Sequence, residues 1–183
     1  MSAALQRGLF VGRFQPFHRG HLRAIEAVRA ARPAERLIIG IGSAQESYTI
    51  QNPFTAGERF DMIDRGLVEA GIEGVSIVPL PDVNQHALWV PYVEGMLPAF
   101  ERVYTNNPLT RGLFEDAGYT VEGTEMYERE KWVGVGVRAA LARGEPMDPY
   151  LTPAVARFVE SIGGAARMKL LSRTAETGRG PGG

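Results

Sequence analysis

Short apolar runs alternate with stretches of helical period along almost the whole of this chain, and that alternation is its strongest constraint on fold. Residues 9–11 (Leu-Phe-Val) read as the end of a buried strand, residues 36–42 (RLIIGIG) as a central one, and residues 75–80 (VSIVPL) as a third. Residues 102–104 and 119–121 add brief further strands. Continuous apolar character suits strands covered on both faces. Between them Leu22, Ile25 and Val28, then Phe60, Ile63, Leu67 and Val68, recur at helical spacing. Thr55 followed by Glu58 is a capping box, and Pro108 suits the first position of a helix packed by Leu109, Leu113 and Phe114. A helix over 87–97 is expected to be interrupted near Pro91. The alternation predicts an α/β fold, a doubly wound parallel sheet with helices on both faces. In such sheets ligands bind beyond the carboxyl ends of the strands, and the loops at 13–21, 43–52 and 82–89 all fall at that edge.

The last third reads as helical, over 137–143 and 153–162, with a short segment at 165–171 after Gly163 and Gly164. Residues 173–183 carry no apolar side chain larger than alanine or proline, which predicts a disordered tail after a single domain over 1–172. Lys plus Arg number 20 and Asp plus Glu 21, a net charge of −1, so no global field draws the chain to nucleic acid and any anion site must be local. The absence of cysteine excludes disulfides, thiolate zinc sites and a Cys nucleophile. Neither a leader-like N-terminus nor a membrane-length apolar stretch is visible, which predicts a soluble cytoplasmic protein.

The first strand-to-helix junction carries the chemistry. Gly12 permits a turn, Pro16 extends the chain, and His18 and His21 stand three apart, on one side of a first helical turn. A helix start presents unpaired N–H groups and the positive end of its dipole. With Arg13, His18, Arg19 and His21 added, the junction offers many donors and no carboxylate, a composition suited to phosphate. Neither a P-loop nor a G-x-G-x-x-G helix opening occurs, and a third ligand to turn the two histidines into a zinc site is not evident.

The segment His18-Arg19-Gly20-His21 resembles the HxGH signature of the nucleotidyltransferase superfamily, and the longer string from Gly12 to His21 (GRFQPFHRGH) resembles the archaeal-type nicotinamide mononucleotide (NMN) adenylyltransferases. The segment 42–45 (GSAQ) with 52–59 (NPFTAGER), and 82–89 (DVNQHALW), are similar to the same family. The resemblance implies a Rossmann-like nucleotidyltransferase fold with a helical C-terminal part. It implies adenylyl transfer from ATP to NMN, giving NAD and pyrophosphate, by a homo-oligomer such as a hexamer. His18, His21, Arg13 and Arg138 would be catalytic. ATP would be bound by Gly12, Arg13, Phe14, His18, His21, Asn107, Gly134 and Arg138. NMN would be bound by Gly42, Ser43, Asp82, Asn84, His86 and Trp89, with the indole stacked on the pyridinium as a cation–π contact. Mg²⁺ would be held mainly through ATP oxygens and water. Glu58 and Arg59 read as structural, a cap partner and a surface or inter-subunit ion pair.

Two departures keep other readings open. The family's Asn is replaced by His86, which loosens the inference about the pyridine ring and leaves deamido-NMN, FMN or phosphopantetheine as other acceptors. Val133 and Val135 stand where the family carries hydroxyls before Arg138. Each valine removes a donor worth ~1 kcal/mol. A non-catalytic nucleotide-binding sensor is the reading those valines favour.

Overall fold

Strand β1 (Arg7–Gly12) lies at the centre of a five-stranded, all-parallel sheet, because its residues Leu9 and Phe10 are apolar on opposite faces and both are buried. The structure, a computed structural model, describes residues 6–124 and 132–176. Helix α1 (Arg19–Ala31) crosses to β2 (Arg36–Gly42), and α2 (Ala56–Glu69) crosses to β3 (Val75–Leu80). The chain then returns through α3 (His86–Met96) to β4 (Arg102–Tyr104) on the other side of β1, and α4 (Pro108–Asp116) leads to β5 (Thr120–Glu122). The resulting order, β3-β2-β1-β4-β5, reverses direction between β1 and β4. That reversal opens a crevice at the carboxyl ends of those two strands. Register sets Phe10 beside Tyr104 and Gly12 beside Ile41.

Strand alternation divides the core into two layers. Leu37, Ile39 and Ile41 join Phe10, Phe14, Phe17 and Ile25 on one face. Leu9 and Ile38 join Trp89, Val90, Val93, Val103 and Phe114 on the other. The helical C-terminal part, α5 (Gly134–Arg143), α6 (Pro153–Ser161) and α7 (Gly164–Glu176), closes the first layer through Val137, Leu141, Val155, Val159 and Met168. Among the described residues no helix is long and apolar enough to cross a membrane.

The elements match the expected alternation, with informative shifts. Helix α3 runs unbroken through Pro91. The proline there forfeits one bond, to the Ala87 carbonyl, while burial of Trp89, Val90 and Val93 holds the helix in place. The buried stripe of α2 is Arg59, Met62, Ile63, Gly66 and Leu67, whereas Phe60 and Val68 are exposed. Helix α5 begins at Gly134, three residues before the expected start. Helix α7 continues to Glu176, into the segment read as tail, because Met168 is buried in the core and Arg167 is pinned to Glu58 by bonds of 2.6 and 2.7 Å. The rest of that tail lies outside the described residues.

Candidate active site

The loop from β1 to α1 is built on its own aromatic rings. Phe14 adopts a left-handed backbone (φ 52°) and turns its ring under Gly12, where a Cβ would come within 2.8 Å of it. The same ring meets His21 edge-on at 4.9 Å, and Phe17 stacks on His21 at 5.7 Å. The Gln15–Pro16 peptide is cis. Gln15 is buried, and its side-chain amide both donates to the Phe54 carbonyl (3.0 Å) and accepts from the Phe54 N–H (2.9 Å), which ties the loop to the entrance of α2.

His18 is the N-cap residue of α1 and His21 lies one turn in, their rings stacked at 3.6 Å. Gly20 makes that contact possible, since a Cβ there would stand 3.1 Å from the His18 ring. The His18 backbone N–H donates to His21 Nδ1 at 3.2 Å. A neutral imidazole that accepts at Nδ1 carries its proton on Nε2, so His21 has one defined donor left. Burial, aided by Arg138, pulls the His18 pKa from 6.5 to about 4. Burial and the neighbouring His18 hold His21 well below its ordinary value. Both rings are therefore neutral at pH 7. His18 Nδ1 is buried with no partner.

Two cavities flank this pair. The inner one, of about 250 Å³, is lined by Gly12, His18, Gly20, His21, Asn107, Val133 and Gly134 among others. The outer one, of about 350 Å³, is lined by Arg13, Gly42, Ser43, Asp82, Asn84, His86 and Trp89 among others. Val11, Gly12, Thr105 and Asn107 line both, so the two share a wall at the ends of β1 and β4, where the sheet order reverses. Every residue expected on the acceptor side thus converges on one cavity. Trp89 is also a core residue, 9% exposed and edge-on to Phe114 at 5.5 Å, so only part of its indole faces the cavity.

The donor side differs from expectation at several positions. Arg13 lines the outer cavity and not the inner. Phe14 is 1% exposed and lines neither; it is the floor beneath His21. Arg19 turns away, its Nε donating to the Asp148 carbonyl at 3.1 Å. Arg138 is buried, and its Nη1 donates to the Gln15 carbonyl at 2.8 Å. It folds back along α5 because Gly134 has no side chain; a Cβ there would stand 3.0 Å from Nη1. Arg138 therefore acts on His18 through its charge, from behind the inner cavity's wall. Val133 is the N-cap residue of α5 and makes no side-chain cap, so the first-turn amides at Gly134 open toward the cavity uncapped. Asn107 caps α4 with its own side chain, accepting from Thr110 N–H at 3.0 Å. His86 is the first residue of α3.

Arg59 overturns the surface ion-pair reading. It is fully buried and donates to main-chain carbonyls of both cavity loops, including Arg13 (3.0 Å) and Gly42 (2.9 Å). Burial, with Arg13 nearby, brings its pKa down to about 10. The ion pair belongs instead to Glu58, which also completes the Thr55 cap. The signal for Arg59 was present, since positions 59, 62, 63, 66 and 67 follow one helical stripe. Gln15, a polar residue between Phe14 and Phe17, carried no comparable signal.

Residues 9–140 match the cytidylyltransferase-like family. The nicotinamide-nucleotide adenylyltransferase of Picrophilus torridus is 45% identical over 93% of this chain and 99% of its own length. That of Pyrococcus furiosus is 43% identical over 94% and 93%, and that of Archaeoglobus fulgidus 45% identical over 91% and 97%. A crystal structure of a bifunctional NMN adenylyltransferase/ADP ribose pyrophosphatase from Francisella tularensis, complexed with AMP and a manganese ion, shares the fold. Its TM-score is 0.76 at 24% identity, covering 95% of this chain and 54% of that one.

Proposed function

The chain belongs to the nicotinamide-nucleotide adenylyltransferases of the cytidylyltransferase-like family, and we propose that its adjoining cavities take the two substrates of that reaction, ATP in the inner and NMN in the outer. The reaction moves an adenylyl group from ATP to NMN and yields NAD and pyrophosphate. An oxygen of the NMN 5′-phosphate bonds to the α-phosphorus of ATP as the bond from that phosphorus to the pyrophosphate oxygen breaks. The attacking phosphate is already an anion near neutral pH, so the protein supplies neither a general base nor a covalent nucleophile. Positioning and stabilisation of charge on the transferring phosphoryl remain for it to supply.

The observation that carries this reading is the shared wall. The two phosphates can meet only where both cavities reach, at Gly12 and Asn107, beside the neutral imidazoles. His21 offers its Nε2–H to an α-phosphate oxygen, and His18 stands beside it. Arg13 grips the mononucleotide phosphate from the outer side. The uncapped first turn of α5 receives the β- and γ-phosphates by its backbone amides, in the manner of helix N-termini. Arg138 positions this assembly through the Gln15 carbonyl and adds to the burial that keeps His18 neutral. Asp82, Asn84, His86 and Trp89 recognise the nicotinamide end. Mg²⁺ would be carried in on the triphosphate, with phosphate oxygens and water as its main ligands.

Incubating the protein with ATP, Mg²⁺ and, separately, NMN, deamido-NMN, FMN and phosphopantetheine tests the assignment. Dinucleotide product and pyrophosphate are expected most rapidly with NMN. Binding of both substrates with no pyrophosphate release would overturn it.

A further inference from the structure

Arg59 holds a buried positive charge behind the outer cavity with no direct carboxylate partner among the described residues. Among the described residues no carboxylate lies within ion-pair distance of its guanidinium, which instead donates to carbonyl oxygens of Arg13, Gly42 and Ser43 at 3.0, 2.9 and 3.1 Å. Longer bonds of 3.4 Å reach Ala44 and Glu46, and Nε reaches the Thr55 carbonyl at 3.2 Å. Carbonyl dipoles satisfy the donors of a guanidinium but leave its net charge in place. Both loops it joins carry a non-glycine residue in the left-handed region, Phe14 at φ 52° and Ser43 at φ 48°, conformations that persist only where surrounding contacts over-determine them. The charge reaches the cavity lining: Arg13 repels it and Asp82 attracts it.

We infer that Arg59 is a positioning residue for the acceptor, fixing the Arg13 and Ser43 loops by its fork of donors while its buried charge selects a phosphorylated acceptor over the same molecule without phosphate. The phosphate dianion would serve as the counter-ion that the fold withholds. The inference rests on the assignment of the outer cavity to the mononucleotide. A lysine would keep the charge but cannot span carbonyls on both loops, so geometry and charge are separable.

The test uses the full chain with Arg59→Gln and Arg59→Lys. Calorimetry gives the Kd of NMN and of nicotinamide riboside for each, and pyrophosphate release gives turnover. In the parent, NMN should bind more tightly than the riboside. Arg59→Gln should shrink that preference at least tenfold, about 1.4 kcal/mol, with riboside affinity changed less than about threefold. Arg59→Lys should keep the preference within about threefold and lose turnover. Equal weakening of both ligands in Arg59→Gln would reduce the residue to a structural support and overturn the proposal. If Arg59→Gln fails to fold by circular dichroism, Arg59→Lys decides: a preference lost tenfold or more overturns it, a retained preference with lowered turnover supports it. A parent that binds NMN no better than the riboside and makes no NAD would strike the cavity assignment instead.

Discussion

His21 makes two separable contacts, and substitutions can remove one at a time. Its Nδ1 accepts from the His18 N–H at 3.2 Å, a bond within the start of α1. Its Nε2–H is the donor assigned to the α-phosphate. An asparagine places its oxygen near the position of Nδ1 and leaves nothing at Nε2, whereas a glutamine places its amide nitrogen near Nε2. His21→Asn should therefore keep the helix start and lose the donor. A neutral donor to an ionised phosphate is worth ~1.5–3 kcal/mol in a ground state. Deletion of one donor aimed at transition-state charge typically costs ~10²–10³ in kcat. The expectation for His21→Asn is thus a fall in kcat of about two to three orders of magnitude, with KM for NMN changed by less than about threefold. His21→Gln should recover at least about tenfold of the loss. Pyrophosphate release under saturating ATP and NMN measures each kcat, and thermal unfolding checks that Asn has left the fold intact. A folded His21→Asn with kcat within threefold of the parent would refute the donor role.

The remaining predictions concern protons, loops and the phosphate end. With His18 held at about 4 against an ordinary 6.5, the folded and unfolded chains bind the same protons above pH 6.5, but between 6.5 and 4 only the unfolded chain takes one up. Stability should fall as acid is added across that window, by roughly 3 kcal/mol from His18 and further from His21; urea unfolding at pH 7.0, 5.5 and 4.5 should show it, and a constant free energy would contradict the burial argument. Because neither histidine titrates between pH 6 and 8, substitution of either should not remove any inflection of kcat in that range. Gln15→Leu strips the Phe54 N–H and carbonyl of their partners at 2.9 and 3.0 Å, a loss of about 2–4 kcal/mol by denaturant unfolding, and a loss under 1 kcal/mol would show that the loop is held elsewhere. Val133→Ser supplies the missing cap of α5 and a hydroxyl in the inner cavity, so it should raise stability by about 1 kcal/mol and lower KM for ATP about fivefold; an unchanged KM would place the triphosphate away from this helix.

What could be read in the sequence and what could not divide along a physical line. The strands, their parallel arrangement and the edge that carries the loops follow from properties carried by consecutive residues: apolar runs at 36–42 and 75–80, the turn at Gly12, the cap at Thr55; the order of the strands in the sheet does not. The alternation placed the loops at 43–52 and 82–89 at the carboxyl edge, but it was the resemblance of 42–45 and 82–89 to the adenylyltransferase family that singled out Gly42, Ser43, Asp82, Asn84, His86 and Trp89, and all six line one cavity. The contacts of Arg138 and Arg59 were not legible because a long cationic side chain can reach several Å in any direction, and its residue type says nothing about which acceptor it finds. Arg138 went to the Gln15 carbonyl because Gly134 left it a path, and Arg59 went to the loop carbonyls because its helical position faces the core.

Both arginines meet the same small segment. Arg138 holds the Gln15 carbonyl and Arg59 the Arg13 carbonyl, so two buried guanidiniums grip neighbouring peptides of the loop that carries His18. Each has its pKa lowered by burial and then by Arg13. Around this loop Arg13, Arg59 and Arg138 have no carboxylate in ion-pair contact among the described residues, and burial makes two of those charges costly. The triphosphate of ATP and the single phosphate of the mononucleotide would offset that cost, and that is the physical reason for reading this end of the sheet as a site rather than as packing.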